Sequence, residues 1–356
     1  MTAGFGVYLH IPFCSRRCDY CAFATWSDRH HLHDGYLDAL QTEILRAIDD
    51  GMPMATSIFV GGGTPSLVDP ERLARIIASV PRADGVEITV ECNPESVTAR
   101  HVSTYRSAGV NRLSFGVQSM SSEVLTSLGR DHDPHMVAGA VETARGGGIE
   151  RLNLDLIYGG VGETIEQWHH TLTEVIALDP EHISAYALTV ESGTPLAADP
   201  SRHPNEDDQA DKYLMADRLL SEAGFENYEI SNWSKPGQQC EHNLLYWRQG
   251  DYRGFGCGAH SHAAGRRWWN VRTPERFIER IAEGRPAEAA FEELDGDRQR
   301  IEGLQLALRT NRGVPVDSLS SDDLEFLGPL VSVGNESVVL TAEGRLLANE
   351  VAVRLR

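Results

Sequence analysis

Three of the chain's six cysteines, Cys14, Cys18 and Cys21, fall within the eight residues "CSRRCDYC". Thiolates are soft donors that suit zinc or an iron–sulfur cluster. The spacing is C-x3-C-x2-C, directly after the first predicted strand, with no fourth cysteine beside it. A structural zinc site closes on four ligands, and His10 is a candidate to complete one. A four-iron cluster on three cysteines instead keeps one iron open to a small molecule. The spacing favours the cluster and leaves zinc as the alternative.

The elements that must carry these thiols repeat. From about residue 5 to 190, short β-rich runs ("GVYLHI", "SIFVGG", "VEITVEC", "RLSFGVQ", "IERLNLDLIYGG", "HISAYALTV") alternate with helical stretches such as "DGYLDALQTEILRAI" and "TIEQWHHTLTEVIALD". Six such units predict an α/β fold with a parallel sheet, as a partial (β/α)6 TIM-like barrel. Sites on such barrels lie at the C-terminal strand ends. "GGGTPS" at 61–66 falls at one of these ends, and its glycines let backbone N–H groups approach a carboxylate or amine-bearing ligand. Residues 197–210 read as a polar linker, and 225–270 as an irregular, aromatic and glycine-rich stretch. The tail combines helices with the strand pair in "LVSVGNESVVLT", a winged-helix-like α+β pattern. The expected division is 1–196, 197–297 and 298–356.

Composition narrows the partners. With 32 basic and 52 acidic residues the net charge is −20, which argues against nonspecific attraction to nucleic acid. No run reaches the roughly 18–20 apolar residues of a membrane span, which leaves only peripheral membrane contact open. The first residues lack the pattern of a secretory signal, so the expected location is the cytoplasm, where clustered cysteines point to metal more than to disulfides.

With Tyr20 just before Cys21, the cysteine motif resembles the signature of the radical S-adenosylmethionine (SAM) superfamily. That resemblance implies a [4Fe–4S] cluster on Cys14, Cys18 and Cys21, SAM on the open iron, and electron transfer that releases a 5′-deoxyadenosyl radical. A narrower likeness, from "YLHIPFC" almost to the C-terminus, is to the HemN/HemW family of oxygen-independent coproporphyrinogen III oxidases and their heme-chaperone relatives. It implies SAM-site roles for Tyr8, Tyr20, Gly62, Gly63, Thr64, Glu91, Gln118, Arg130, Asp155 and Ala187. Each has an ordinary alternative. Glu87, Thr89 and Glu91 alternate on one strand face, Asp155 could cap a turn, and Tyr8 and His10 share a face by the same period of two. It is their joint register with the predicted strand ends that favours function.

The oxidases carry a further cysteine where this chain has Phe23, and a longer arm before the first strand. "HNLLYW" at 242–247 resembles a motif of the heme-chaperone branch. The implied cargo is heme, passed to acceptor proteins that the sequence does not identify; the alternative is oxidative decarboxylation of coproporphyrinogen III. Imidazole ligates heme iron well, so His242 is the expected iron ligand, with Cys257 a second candidate. Residues 248–272 hold five arginines (Arg248, Arg253, Arg266, Arg267, Arg272) against Asp251, a basic stretch suited to propionates or simply solvated.

Overall fold

The computed structural model describes residues 4–130 and 132–355. Six strand–helix units open the chain: β1 (Phe5–Ile11), α1 (His33–Asp49), β2 (Ala55–Gly62), α2 (Pro70–Ser79), β3 (Arg82–Cys92), α3 (Ala99–Ser107), β4 (Arg112–Gln118), α4 (Ser122–Ser127), α5 (Met136–Gly146), β5 (Arg151–Tyr158), α6 (Ile165–Ala177) and β6 (His182–Ala187). All six strands pair in parallel and in chain order. This is the partial barrel expected from the alternation.

Strand periodicity explains its two faces. Val7, Leu9 and Ile11 of β1 are fully buried beneath the helices, while Tyr8 and His10 point the other way, into the barrel. The barrel lining is polar, with Ser57, Glu87, Thr89, Arg112, Ser114, Asn153, His182 and Ser184 all buried. Local signals set the helix starts. Asp69 caps α2 ahead of Pro70, and Thr164 with Gln167 forms a capping box on α6.

Next come α7 (Glu206–Glu222), β7 (Glu226–Glu229), β8 (Asn232–Ser234), α8 (Glu241–Trp247), β9 (Asp251–Phe255), β10 (His260–Ala263), β11 (Arg266–Asn270), α9 (Pro274–Ala282) and β12 (Glu288–Glu293). Here the expectation of an irregular 225–270 is corrected. These strands extend the barrel sheet at both edges, giving the order β12-β11-β10-β9-β1-β2-β3-β4-β5-β6-β8-β7. Strand β9 runs parallel to β1, and β10–β12 continue antiparallel. The β10–β11 hairpin turns on Ala264 and Gly265, both with positive φ (49° and 82°), the geometry that matches strand twist.

Helix α7 is tied down by Lys212, fully buried, whose Nζ donates to Asp208 (2.6 Å) and to the Glu163 carbonyl (2.7 Å). The tail holds α10 (Gly296–Ala307), β13 (Val314–Pro315), α11 (Ser321–Leu327), β14 (Val331–Val333), β15 (Ser337–Leu340), α12 (Ala342–Leu346) and α13 (Ala348–Arg354). Its three-stranded sheet, β13-β15-β14, packs on a separate apolar cluster that includes Leu308, Leu327, Val338 and Val351.

Candidate functional site

Strand β1 delivers the chain into the cysteine loop. The loop's neck is closed by Cys14 N donating to Trp26 O (3.1 Å) and Trp26 N donating to Pro12 O (2.8 Å). Its tip is folded by Cys21 N donating to Cys18 O (3.2 Å), while Arg17 covers the Cys21 carbonyl (3.0 Å). From outside, one Arg202 nitrogen donates to both Asp19 and the Ser127 carbonyl, each at 2.7 Å, and pins the loop to the end of α4. Gly63 is a close approach: a Cβ there would lie 2.5 Å from Phe13 O and 3.0 Å from Cys14 Sγ.

Cys14, Cys18 and Cys21 all line one cavity of about 930 Å³ at the C-terminal ends of the barrel strands. Burial pushes the Cys14 thiol up to about 11 and raises Cys21 as well, so a metal must displace their protons to bind. Zinc at about 2.3 Å would draw its thiolates within about 4 Å of one another. Among the described residues no three of His, Cys, Asp and Glu are placed to hold a single ion. Three thiols lining one cavity of this size leave room for a polynuclear cluster.

The opposite walls are charged. Gly62 N donates to Glu91 (3.1 Å), and a Cβ on Gly61 would sit 2.8 Å from that carboxylate. Burial, then the nearby Asp155, push Glu91 up to about 8. Asp155 is fixed by two donors, Ser114 Oγ (2.7 Å) and Asn153 Nδ2 (2.8 Å), and Asn153 is itself hydrogen bonded to His182 (2.6 Å). Arg130 donates to the Gly116 carbonyl (2.8 Å) and to Asn93 (3.1 Å), and its Nη1 reaches Cys18 Sγ at 3.6 Å. Its Nε is buried with no partner. Gln118 ends β4 at φ 64°, a strained value for a non-glycine residue. Paired carboxyls facing a guanidinium with an unused donor suit a ligand that carries both a cationic and an anionic group. The residues present therefore fit SAM.

Of the residues implied by resemblance, the structure brings Tyr20, Gly62, Gly63, Thr64, Glu91, Gln118, Arg130, Asp155 and Ala187 together with the three cysteines around this cavity. Sequence reasoning missed Asn93, Ser114 and His132, which line it too. The signal for Ser114 was its register, one strand over from Asn153 and two residues from the position facing Asp155. Tyr8 is placed differently. Its hydroxyl is hydrogen bonded to His10 Nδ1 (3.0 Å), and it lines a second cavity of about 900 Å³ across the Ala22–Ala24 segment. His10, whose Nε2 is hydrogen bonded to Ala24 O (2.9 Å), stands in the partition: a Cβ on Gly62 would meet its ring at 2.5 Å.

His242, the expected heme-iron ligand, has both ring nitrogens engaged by the protein in this structure. Helix α8 plugs the barrel at the N-terminal ends of β1 and β2, opposite the cysteine loop. His242 is 1% exposed, with Nδ1 hydrogen bonded to Ser57 Oγ (2.9 Å) and Nε2 to Tyr246 OH (2.8 Å). Burial lowers its pKa to about 4, so the ring is neutral and both nitrogens are used. It orients Tyr246, which does reach the second cavity. Cys257 is likewise fully buried and lines neither cavity. Most of the arginine excess is also paired locally: Arg266 with Glu288, Arg267 with Glu292 and Glu302, Arg248 with Glu241.

Comparison with known proteins bears on this geometry. The radical SAM superfamily matches residues 8–175. The protein named Heme chaperone HemW of Mycobacterium tuberculosis is 39% identical over 364 residues, covering 98% of this chain and 93% of that protein. Its namesake in Bacillus subtilis is 35% identical, covering 97% of each. Among solved structures, coproporphyrinogen III oxidase (HemN) from Escherichia coli, described as a radical SAM enzyme, superposes with a TM-score of 0.85. It is 24% identical and aligned over 99% of this chain and 90% of that one, a likeness of fold. With relatives this similar along nearly their whole length, the chain belongs to the HemW family of the radical SAM superfamily.

Proposed function

We propose that the protein is a heme chaperone, which takes up heme and passes it to an acceptor protein while retaining a cluster and SAM. The observation that carries this is the 39% identity, across nearly both lengths, to a protein named as a heme chaperone. The likeness to the oxidase is one of fold, and Phe23, where the sequence resemblance implies a further cysteine in the oxidases, is 67% exposed on the cluster loop.

Cys14, Cys18 and Cys21 would hold the [4Fe–4S] cluster. Gly62, Gly63, Thr64, Glu91, Gln118, Arg130 and Asp155 would hold SAM, with Tyr20 and Ala187 at the edges of the same cavity. Bound there, the cluster supplies one-electron chemistry toward SAM. The chain's own contribution is placement. Glycine backbone admits the ligand, Ser114 and Asn153 hold Asp155 in one orientation, and Glu91 exchanges its proton for the ligand's positive charge. In a buried cavity these charges act at low effective dielectric, which strengthens them.

The test pairs two assays on anaerobically reconstituted protein. Heme titration should saturate near one heme per chain. Incubation with coproporphyrinogen III, SAM and reductant should release no carbon dioxide. SAM-dependent carbon dioxide release would overturn the chaperone reading in favour of the oxidase.

A further inference from the structure

The second cavity is made of other material than the first. Strands β9, β10 and β11 form one wall, carrying Tyr252, His260, His262 and Trp269, and Arg267 and Arg272 also line it. At about 900 Å³ it lies within the range of cavities that enclose small cofactors. The cluster-loop segment Ala22–Phe23 lines both cavities, so the two are neighbours across one stretch of chain.

Three histidines reach this cavity, and their nitrogens differ in what they already do. His10 is bonded to Tyr8 and Ala24. His262 is bonded to the Gly250 carbonyl (3.1 Å) and accepts from Gly265 N (3.3 Å). His260 has no hydrogen bond or ion pair among the described residues, and its ring lies against Trp269 (5.8 Å between centroids, 27° between planes). Period two puts His260 on the same side of β10 as His262. Its backbone is held in a paired hairpin, so the imidazole stands on a rigid base.

The cationic residues sort the same way. Arg267 is committed to Glu292 and Glu302. Arg272 lines the cavity with no ion pair or hydrogen bond among the described residues, and it is exposed. A metalloporphyrin needs flat apolar walls, a ligand for its iron, and a cation for the carboxylates on one edge. Tyr252 with Phe23 and Leu306, His260, and Arg272 answer these in turn, while Trp269 backs the imidazole by stacking on it.

We propose that heme binds in this second cavity, with His260 as the axial iron ligand and Arg272 facing a propionate. This rests on the heme-binding reading above and assigns its site. In this arrangement the "HNLLYW" helix takes part through Tyr246 at the cavity wall, and His242 is a positioning residue.

The experiment uses the full chain with its cluster reconstituted, titrated with ferric heme and followed by the Soret band and by electron paramagnetic resonance of the iron. His260→Ala should weaken heme binding by about tenfold or more and remove the imidazole ligation signature. His260→Tyr should replace that signature with a phenolate one, a gain of signal that misfolding does not imitate. Arg272→Glu should weaken binding about fivefold with the axial ligand unchanged. His242→Ala should keep the imidazole signature. Cluster absorption, read in every variant, reports a folded chain. If wild-type protein binds heme and the His260 variants keep its spectrum, the site is wrong while the chaperone reading stands. Wild-type protein that binds no heme overturns the reading and the site together.

Discussion

The two cavities on either side of the Ala22–Phe23 segment are nearly equal in volume, about 930 and 900 Å³, yet their polar groups are in opposite condition. Around the first, polar groups are left unsettled. Glu91 is forced up to about 8, Arg130 Nε has no partner, and Gln118 sits at φ 64°. Around the second, most polar groups are already matched: Arg267 to two carboxylates, His10 and His262 at both nitrogens, Tyr246 to His242. Its exceptions include His260, Arg272 and the Nε of Arg267, which is buried without a partner although the rest of that guanidinium is paired. A cavity that must grip a compact, charged ligand keeps several desolvated groups in reserve, since each gains most when the ligand completes it. A cavity for a flat, largely apolar ligand needs area, with one or two free polar groups to fix orientation.

The strongest way to break this contrast is to remove the thiols. Changing Cys14, Cys18 and Cys21 together to alanine should abolish the roughly 400 nm iron–sulfur absorption of the reconstituted protein. His260→Ala should leave that absorption intact. Loss of heme binding along with the band in the triple variant, with the chain still folded by circular dichroism, would mean that the cavities act as a single site. Stoichiometric zinc without iron after anaerobic reconstitution would return the thiols to the zinc alternative.

A smaller effect separates the cavities by ligand. Asp155 is held by Ser114 and Asn153 and faces only the first cavity. Asp155→Ala should reduce SAM affinity by about 2–3 kcal/mol, roughly 30- to 150-fold, because it removes a charged contact from a buried setting. Heme affinity should not change. Unaltered SAM binding with an intact cluster would remove Asp155 from the proposed set.

The first cavity was far more legible in sequence than the second, for a physical reason. Its residues lie at the ends of parallel strands whose order in space follows their order in the chain, so Cys14, Gly62, Glu91, Gln118 and Asp155 come together once the strand–helix repeat is seen. The second is built by strands of four or five residues, and β9 pairs with β1 across more than two hundred positions. Runs that short show little alternation, and nothing local marks the partner. The setting of His242 was illegible for a related reason. A histidine between aromatic residues looks the same in sequence whether its nitrogens face a cavity or, as here, Ser57 and Tyr246.

The finest distinction between the cavities is the proton on Glu91. An ordinary glutamate ionises near 4.5, but burial and the neighbouring Asp155 push this one up to about 8, so at pH 7 it is mainly protonated in the ligand-free protein. For an acid the raised value carries a definite sign. Its contribution to folding stability is fully present below about 4.5 and is lost as pH rises through about 8, where the buried carboxyl must ionise. A cationic group arriving beside Glu91 favours the ionised form, so SAM binding should expel a proton in that window and tighten as pH rises. The expected gain is about fivefold between pH 7 and pH 8, levelling above. Calorimetric titration in two buffers of different ionisation enthalpy measures the released proton directly, and Glu91→Gln should abolish both the release and the pH slope. Heme binding across the partition should show neither. A flat SAM profile in the wild type would place the ligand's positive charge away from Glu91 and leave Asp155 as its remaining carboxylate partner.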